Sequence, residues 1–208
     1  MNNSQLIIVG ASGHGKVVAE IAELTNKYEQ IYFMDDYSKD KMFHGYQNLG
    51  PTTGLDKYKN STDVFVAIGD NRIRAEKLQD FENNGFSIAT LVHPNAVISP
   101  STSIGRGTVV MAGVIINAST EIGFGNIINT NVSVDHDCKL GDFVHISPGV
   151  NIAGTVEIGR CTWLGINSTI INNIIIGHNI IVGAGAVVVE NLESSGSYLG
   201  VPAKLKEN

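Results

Sequence analysis

An aliphatic side chain returns at every sixth position through the second half of the chain, and this period constrains the fold more than any other feature. The series begins at Val92, ends at Val188 and consists of Ile, Val and Leu without a break. A fixed short period is typical of repeat architectures, in which each repeat buries its apolar face against the next one. We therefore expect residues 92–188 to form a solenoid with one continuous core.

A second period of eighteen residues is carried by glycines that directly follow some of these aliphatic positions. They are Gly105, Gly123, Gly141, Gly159 and Gly177. Three six-residue units then make one coil, with short β-branched strands and a glycine at a recurring corner where the chain turns. Small or apolar residues two positions before the aliphatic ones, such as Val132 and Cys138, should also point inward. The pattern predicts a solenoid of parallel strands of about five stacked coils.

The amino-terminal part of the sequence has the alternation of an α/β domain. Leu6–Val9 is predicted to be a buried strand, and Val17–Leu24 has the apolar spacing of a helix. Between them lies Gly10-Ala11-Ser12-Gly13-His14-Gly15-Lys16. Strand, glycine loop and helix in this order direct backbone N–H groups at a phosphate. The spacing of the glycines differs from the dinucleotide fingerprint, so it argues only weakly for NAD.

The rest of this domain completes a Rossmann-like unit. Ile31–Met34 reads as a second strand ending in Asp35 and Asp36, and Val64–Ile68 reads as a third strand followed by a helix. Phe86–Val92 is predicted to be the last strand, and Tyr37–Lys59 to be mostly loop. We expect two domains: an α/β nucleotide-sugar-binding domain at residues 1–91, and an all-β solenoid with a short carboxyl-terminal cap at residues 92–208.

Charge and composition exclude several classes of partner. The 208 residues carry a net charge of −6, with a pI near 5.4, so no basic surface for nucleic acid is expected. The polar amino terminus predicts no signal peptide, and no apolar run is long enough to span a bilayer. Two cysteines, Cys138 and Cys161, provide no disulfide framework, which favours a cytoplasmic location.

Polar and titratable residues are concentrated at positions 129–149 of the solenoid. His136 and His145 occupy neither inward column, so we expect both to face outward. Gly154 follows His136 by eighteen residues, one coil away, and its N–H could serve as an oxyanion donor beside a histidine base. A further column, Asn129, Ser147, Gly165 and Gly183, loses its side chains along the axis and would leave a track for an extended pantetheine arm.

The hexad series resembles the hexapeptide-repeat acyltransferases. With Gly10-x-Ser12-Gly13-His14-Gly15 in front of it, nearly the whole chain resembles one subgroup of them. This subgroup comprises bacterial enzymes of the bacillosamine-pathway type that acetylate nucleotide-linked amino sugars, with their perosamine and sialic-acid relatives. The resemblance implies a left-handed parallel β-helix, acetyl-CoA as co-substrate, no metal, and a homotrimer with active sites between subunits.

The same resemblance assigns roles in the solenoid. It makes His136 the general base, paired with Asp137, and adds Asn129 to the polar network. Because neighbouring strand residues point to opposite faces, the pairing requires a turn at this point, and otherwise Asp135 or another group orients the ring. His145 would lie near the thioester. Lys204, in the closing Gly200-Val201-Pro202-Ala203-Lys204 segment, would approach a CoA phosphate or be solvated.

In the amino-terminal domain the resemblance implies substrate contacts. Gly13, His14 and Lys16 would face the pyrophosphate and the sugar. Asp35 and Asp36 would face the uridine; the alternative is that they end a strand in solvent.

The expected activity is acetyl-CoA-dependent N-acetylation of the 4-amino group of a UDP-4-amino-4,6-dideoxy sugar for surface glycans. Alternatives within the family are O-acetylation of sialic acid or another sugar, and N-acetylation of GDP-perosamine. Outside it stand a non-enzymatic nucleotide-sugar-sensing scaffold and a zinc carbonic anhydrase on the same solenoid. The latter would need three converging histidines from His93, His136, His145 and His178, which show no metal-binding motif.

Overall fold

The computed structural model describes residues 4–206, so the outer limits predicted at residues 1 and 208 lie outside the described chain. The chain divides after Pro94 into two compact units. The amino-terminal unit is α/β, and the carboxyl-terminal unit is a left-handed parallel β-helix. These are the two fold classes that the sequence predicts.

The amino-terminal unit is built around a parallel sheet with two α-helices. Its elements are β1 (Gln5–Val9), α1 (Gly13–Leu24), β2 (Gln30–Met34), β3 (Met42–Phe43), β4 (Tyr46–Asn48), a 3-10 helix (Thr52–Tyr58), β5 (Thr62–Val66), α2 (Asn71–Asn83), β6 (Ser87–Ile88) and a short strand at Leu91–Val92. The strands are ordered β3-β4-β2-β1-β5-β6, and only β3 runs antiparallel to its neighbour. The apolar side chains of the central strand β1 are buried from Leu6 to Val9.

The segment Tyr37–Lys59, predicted to be mostly loop, contains the β3-β4 hairpin and the 3-10 helix, so that prediction was wrong. His44 and Gly45 turn the hairpin with φ of 50° and 86°, the geometry of a tight two-residue hairpin. Phe43 packs edge-on against Phe33, with 5.0 Å between ring centroids. The strands are too short for a period to be visible, since they carry only two and three residues.

A buried carboxylate ties the segment that follows α1 to the sheet, at the opposite end of the strands from the glycine loop. Asp63, in β5, is 5% exposed. Its Oδ2 accepts from the Tyr28 hydroxyl (2.8 Å) and the Lys27 ammonium (2.9 Å), and its Oδ1 accepts from the Ser87 hydroxyl (2.7 Å). Burial of the Tyr28 phenol, reinforced by its hydrogen bond to Asp63, raises its pKa to about 12. A buried charge of this kind is tolerated because donors surround it.

The carboxyl-terminal unit coils through three sheets, which we call the His145 face, the Ser133 face and the Lys139 face. The strands of the His145 face are Val109–Val110, Ile127–Ile128, His145–Ile146, Trp163–Leu164 and Ile180–Val182. Those of the Ser133 face are Val97–Ile98, Ile115–Ile116, Ser133–Val134, Asn151–Ile152, Thr169–Ile170 and Val187–Val188. Those of the Lys139 face are Ser103–Ile104, Glu121–Ile122, Lys139–Leu140, Glu157–Ile158 and Ile175–Ile176. Each strand pairs in parallel with the strand eighteen positions away, so the period of eighteen is the coil.

Three corners join these faces. The Asn129 corner lies between the His145 and Ser133 faces, the His136 corner between the Ser133 and Lys139 faces, and the Gly141 corner between the Lys139 and His145 faces. Both inward columns of the predicted pattern supply the core, and residues such as Val132, Cys138 and Ile146 are at most 1% exposed.

The eighteen-residue glycine column lies at the Gly141 corner, but these residues do not make the turn. The left-handed backbone falls two positions later, at residues such as Phe143 and Cys161, with φ of 57° and 58°. Glycine is needed for a different reason: a Cβ on Gly123 would come within 2.8 Å of the Gly141 carbonyl carbon in the next coil. The reason we expected for this column was therefore wrong, since close approach of successive coils, rather than turning, demands glycine here.

Two antiparallel strands close the carboxyl-terminal end of the β-helix. Gly196–Leu199 continues the sheet of the His145 face, pairing in parallel with Ile180–Val182, and Lys204–Leu205 pairs with it in the opposite direction. They lie in the region where the sequence predicts a short cap, and we call them the cap.

Candidate active site

The His136 corner carries a histidine-carboxylate pair. His136 Nδ1 lies 2.8 Å from Asp137 Oδ2. Asp137 has a φ of 58°, in the left-handed region that Asp tolerates better than most residues. The backbone therefore turns between the two residues, and adjacent side chains meet. This satisfies the condition that the pairing required, and it places the Asp137 carboxylate, rather than that of Asp135, against the ring.

The electrostatic setting of His136 favours its protonated form. The side-chain hydrogen bond to Asp137 contributes most, and with the charge of Asp135 it raises the pKa of His136. Asp135 stays ionised because its Oδ1 accepts from Asn117 Nδ2 (2.9 Å) and from the His136 backbone N–H (2.9 Å), which lower its pKa. The imidazole side chain is 56% exposed, so its other nitrogen can meet a substrate.

Gly154 lies directly against the imidazole of His136, one coil along the axis. A Cβ on Gly154 would come within 2.7 Å of both Cε1 and Nε2 of the ring. Its carbonyl accepts from Asn173, while its N–H donates to no acceptor among residues 4–206. Gly154 is therefore more than a corner glycine, because any side chain there would displace the ring. The interval of eighteen indicated this neighbour correctly.

Asn129, expected in the polar network of His136, lies at a different corner of the same chain. Its side-chain oxygen accepts from the Thr130 backbone N–H at 2.9 Å. Within one chain the Ser133 face separates Asn129 from His136. Asn129 can therefore join the network of His136 only from a neighbouring chain.

The predicted track Asn129, Ser147, Gly165, Gly183 runs along the Asn129 corner but is not empty. Ser147 is 6% exposed, and its hydroxyl accepts from the Trp163 indole N–H at 2.8 Å. A Cβ on Gly183 would come within 2.4 Å of Leu199 Cδ2, and one on Gly165 within 2.7 Å of the Ala184 nitrogen. Gly165 is therefore glycine because the backbone of the next coil approaches closely, whereas at Gly183 the close atom is the end of an exposed leucine side chain that can move.

His145 lies on the face that leads into the Asn129 corner and stacks on Trp163. The ring centroids are 5.7 Å apart and the planes differ by 14°. The two residues are paired in register on adjacent strands. The candidate acetyl-CoA residues Gly165 and Gly183 thus lie at one corner with His145 on the strand leading into it, whereas His136 occupies another corner.

Lys204 of the cap forms an ion pair with Glu190. Both side chains are more than half exposed, at 63% and 57%. The ammonium group is therefore partly neutralised, yet accessible to a phosphate.

The glycine loop of the amino-terminal unit contains one glycine that the fold does not demand. A Cβ on Gly10 would meet the Ala67 carbonyl oxygen at 2.8 Å, and one on Gly15 would meet the Gly10 carbonyl oxygen at 2.3 Å. A Cβ on Gly13 would meet nothing within 4 Å, and its φ is ordinary. Gly13 therefore leaves open space where a ligand can approach the backbone.

Gly13, His14 and Lys16 lie in the first turn of α1, which begins earlier than predicted. The N-cap residue Ser12 provides no side-chain hydrogen bond to the described helix. By contrast, Asp70 caps α2 by accepting from Arg72 and Ile73. The amino terminus of α1 therefore presents backbone N–H groups that can donate hydrogen bonds to an anion. The Lys16 ammonium lies 5.6 Å from the centroid of the Phe43 ring.

Asp35 fastens the glycine loop to the end of β2. Its Oδ2 accepts from the Ala11 N–H, and its Oδ1 accepts from the Tyr37 and Ser38 N–H groups, each at 2.8 Å. Burial opposes ionisation, but these hydrogen bonds outweigh it and lower the pKa of Asp35.

Asp36 binds the start of the 3-10 helix. Its Oδ1 accepts from the Thr52 N–H (2.8 Å) and hydroxyl (2.7 Å), and its Oδ2 lies 2.9 Å from the Lys77 ammonium. Burial again opposes ionisation, yet the donors lower the pKa to about 2. Both carboxylates thus have structural partners, so neither simply ends its strand in solvent.

The histidines considered for a metal site are dispersed. His136 and His145 lie on different parts of the β-helix, and His178 Nδ1 accepts from the Arg160 N–H at 2.8 Å. Among residues 4–206, no three His, Cys, Asp or Glu side chains are grouped as a metal site requires. None of the helices in the described chain has the length and apolarity to cross a bilayer.

Sequence reasoning missed Trp163 and Asn117. Trp163 is eighteen residues after His145, so counting by coils would have found it. Asn117 is likewise eighteen residues before Asp135, to which it donates. In both cases the signal was the interval that located Gly154.

Comparison with known proteins identifies the class. The family described as the PglD N-terminal domain matches residues 5–81. The acetyltransferase domain of PglB from Neisseria gonorrhoeae FA1090 is 38% identical with a TM-score of 0.95, over 98% of this chain and all of that one, and its structure has also been solved with acetyl coenzyme A. PerB from Caulobacter crescentus, in complex with CoA and GDP-perosamine, is 40% identical with a TM-score of 0.92, over 98% and 97% of the chains.

A curated relative is the UDP-N-acetylbacillosamine N-acetyltransferase of Bacillus subtilis (strain 168), 35% identical over 109 residues. The alignment covers 50% of this chain and 50% of that protein, so the chain spans about half the length of this relative.

A left-handed β-helix with a histidine-carboxylate pair at one corner defines an acyltransferase of the hexapeptide-repeat class. Within that class, the chain belongs to the sugar N-acetyltransferases. The PglB domain is an acetyltransferase solved with acetyl coenzyme A, and PerB has been solved with CoA.

Proposed function

We propose that the protein transfers the acetyl group of acetyl-CoA to the 4-amino group of a UDP-4-amino-4,6-dideoxy sugar in surface glycan synthesis. The observation that carries the proposal is the His136-Asp137 pair against Gly154. The likeness to the Bacillus subtilis enzyme supports the UDP-bacillosamine-type substrate. GDP-perosamine is a second candidate, favoured by the 40% identity to PerB along nearly the whole chain.

His136 acts as the general base. Its Nδ1 carries the proton that is donated to Asp137, so the lone pair of Nε2 accepts a proton from the attacking amine. The amine nitrogen forms a bond to the thioester carbonyl, and the Gly154 N–H stabilises the oxyanion. Collapse of this intermediate breaks the C–S bond and releases CoA as its thiol. A raised pKa makes His136 a stronger acceptor, at the cost of being protonated in more acidic solution.

Acetyl-CoA is assigned to the Asn129 corner, with His145 at the thioester, Gly165 and Gly183 along the pantetheine arm, and Lys204 at a phosphate. Asn129 joins the site from this corner. His136 lies at another corner of the chain. It can therefore meet the acetyl-CoA residues of the Asn129 corner only when the two corners come from different chains. Around a threefold axis parallel to the coil axis, the His136 corner of one subunit adjoins the Asn129 corner of its neighbour if the Ser133 faces point to the axis. The protein is therefore a homotrimer with shared sites.

In the amino-terminal unit, Gly13, His14 and Lys16 bind the pyrophosphate and sugar at the uncapped start of α1. Asp35 and Asp36 shape the uridine end of the site, each with carboxylate lone pairs beyond those that its present partners use. We assign the reaction to the cytoplasm, where acetyl-CoA is made and where free thiols such as Cys138 and Cys161 stay reduced.

The activity is tested by incubating the protein with acetyl-CoA and a panel of amino sugars and measuring thiol release. The panel contains the UDP-linked 4-amino sugar, GDP-perosamine and the free amino sugars. We expect release with a nucleotide-linked amine and much less with the free sugar. No release with any amine would refute the enzyme activity, and equal rates with free sugars would refute nucleotide recognition.

The shared site is tested by complementation. His136→Asn and His145→Asn are each expected to be inactive, because each removes one half of every site. In mixed trimers from equal amounts of both chains, about a quarter of the sites receive both intact halves, one half times one half. Recovery of about that fraction of wild-type kcat supports sharing. Failure of trimers shown to be mixed by mass spectrometry to recover activity would refute it.

A further inference from the structure

We propose that Trp163 is a positioning residue that fixes the His145 imidazole for acetyl transfer, with Ser147 holding the indole in place. This inference rests on the proposed function, because it takes His145 to lie at the thioester. Trp163 occupies the position one coil after His145 on the same outward column. It is therefore the side chain that the β-helix places next to His145 along the axis.

The contact between the two rings is a parallel, offset stack. The centroid separation of 5.7 Å and the angle of 14° fall within the range of favourable aromatic pairs. An exposed aliphatic residue, such as the Ile181 that follows in this column, provides no flat surface against which an imidazole can be held. A stacked indole does, because rotation of the imidazole out of the plane loses the contact.

The indole itself is fixed by a second contact. Trp163 Nε1–H donates to Ser147 Oγ at 2.8 Å, and Ser147 is 6% exposed. The indole is thus held at its face by His145 and at its edge by Ser147, and both contacts restrain its rotation about χ2. The hydroxyl of Ser147 sits on a buried part of the Asn129 corner, so the anchor is rigid.

The position of this pair connects it to the reaction. Trp163 is 45% exposed despite its two contacts, and it covers Ser147 in the column to which the acetyl-CoA arm is assigned. A ligand in that column therefore reaches His145 beside the indole. Trp163 therefore holds its neighbour at the surface, where the ligand is assigned.

The test compares Trp163→Leu, Trp163→Phe and Ser147→Ala with the wild-type protein. Trp163→Leu removes the ring, Trp163→Phe keeps a ring but loses the N–H donor, and Ser147→Ala keeps the indole but loses its acceptor. The control is Ile175→Ala, which truncates a comparably exposed residue on the Lys139 face (52% exposed). The first measurement is the NMR shift of His145 Cε1–H in histidine-labelled protein, assigned with His145→Gln. The second is kcat and the KM for acetyl-CoA.

We expect the indole to hold the His145 signal upfield, and Trp163→Leu to abolish this shift and lower kcat about tenfold or more. Trp163→Phe should retain most of the shift and of kcat, Ser147→Ala should fall between, and Ile175→Ala should match the wild type. The proposal is overturned if Trp163→Leu keeps the upfield shift, or loses it with kcat unchanged.

Two further outcomes are decisive. If Trp163→Leu does not fold, Ser147→Ala decides alone, since an unchanged shift and kcat there would refute the anchor. If the wild-type protein acetylates no amine, the proposed function fails. The NMR shift of His145 Cε1–H then decides alone whether Trp163 fixes the His145 imidazole.

Discussion

The Cα of Gly154 lies so close to the imidazole of His136 that a methyl group there would overlap two ring atoms, at 2.7 Å from each. We predict that Gly154→Ala lowers kcat about a hundredfold, because the ring must leave its position and the N–H donor shifts with it. The measurement is the rate of thiol release at saturating acetyl-CoA, with circular dichroism to confirm folding.

A double variant checks the cause of that loss. If Gly154→Ala acts through the ring, adding it to His136→Ala should lower the residual rate little further, because groups that act as a unit are not additive. A full additional hundredfold loss would show that Gly154 acts independently of His136.

Replacing Asp137 with Asn should shift the pH dependence of the reaction. The hydrogen bond and charge of Asp137 raise the pKa of His136, and the base works only when neutral. Without the carboxylate the pKa falls, so the acidic limb of the kcat profile should move to lower pH, with a lower plateau because the base is weaker and less well oriented.

Asn is the informative substitution because it tolerates the φ of 58° at this position, whereas other residues would add backbone strain. The same amino sugar is used for both proteins, so the titration of the amine is common to the two profiles. If the acidic limb of the Asp137→Asn profile stays in place or moves to higher pH, Asp137 does not raise the pKa of the catalytic base.

Two glycines of the nucleotide loop should respond differently to alanine. Gly13→Ala should raise the KM for the nucleotide sugar about tenfold or more while leaving the melting temperature unchanged, because its Cβ enters open space that the ligand is proposed to use. Gly15→Ala should lower the melting temperature instead, since its Cβ would meet the Gly10 carbonyl oxygen at 2.3 Å. An unchanged KM for Gly13→Ala would argue against phosphate binding at this turn.

The buried hydrogen bond between Tyr28 and Asp63 should contribute to stability but not to catalysis. Tyr28→Phe leaves the Asp63 carboxylate with one donor fewer and should lower the free energy of unfolding by about 1–3 kcal/mol, measured with urea at pH 7. The KM for the nucleotide sugar should not change, because this network lies at the other end of the strands from the glycine loop.

Alkaline titration adds a second measurement on the same variant. With the Tyr28 pKa raised to about 12 in the folded state against 10 in a free phenol, the folded protein retains the proton that the unfolded chain loses. Stability from this group is complete below pH 10 and declines up to about pH 12. Tyr28→Phe should lack this part of the decline, and an equal decline in both proteins would refute it.

The β-helix and the proximity of His136 and Gly154 could be predicted from the sequence, because residues eighteen positions apart lie side by side on successive parallel coils. The contact between His136 and Asp137 could not be predicted from the sequence. It depends on a left-handed backbone at Asp137, which an Asp residue tolerates but does not require. The corner that Asn129 occupies could not be read from the resemblance, which assigns a residue to a site without saying which chain supplies it. Asp35 and Asp36 pointed to a ligand, but the donors that surround them, such as Lys77 and Ala11, come from segments whose pairing no short pattern encodes.

The left-handed φ of Asp137 recurs once per coil along the His136 corner, at Ser119, Thr155 and Asn173. The backbone that brings Asp137 against His136 is therefore ordinary for this solenoid, and any coil could present a His-Asp pair in the same geometry. Insertion or deletion of a whole coil would move the pair along the axis without altering it. Addition of a single residue would rotate every later side chain out of register. A β-helix of this kind therefore gains or loses coils in register only in steps of eighteen residues.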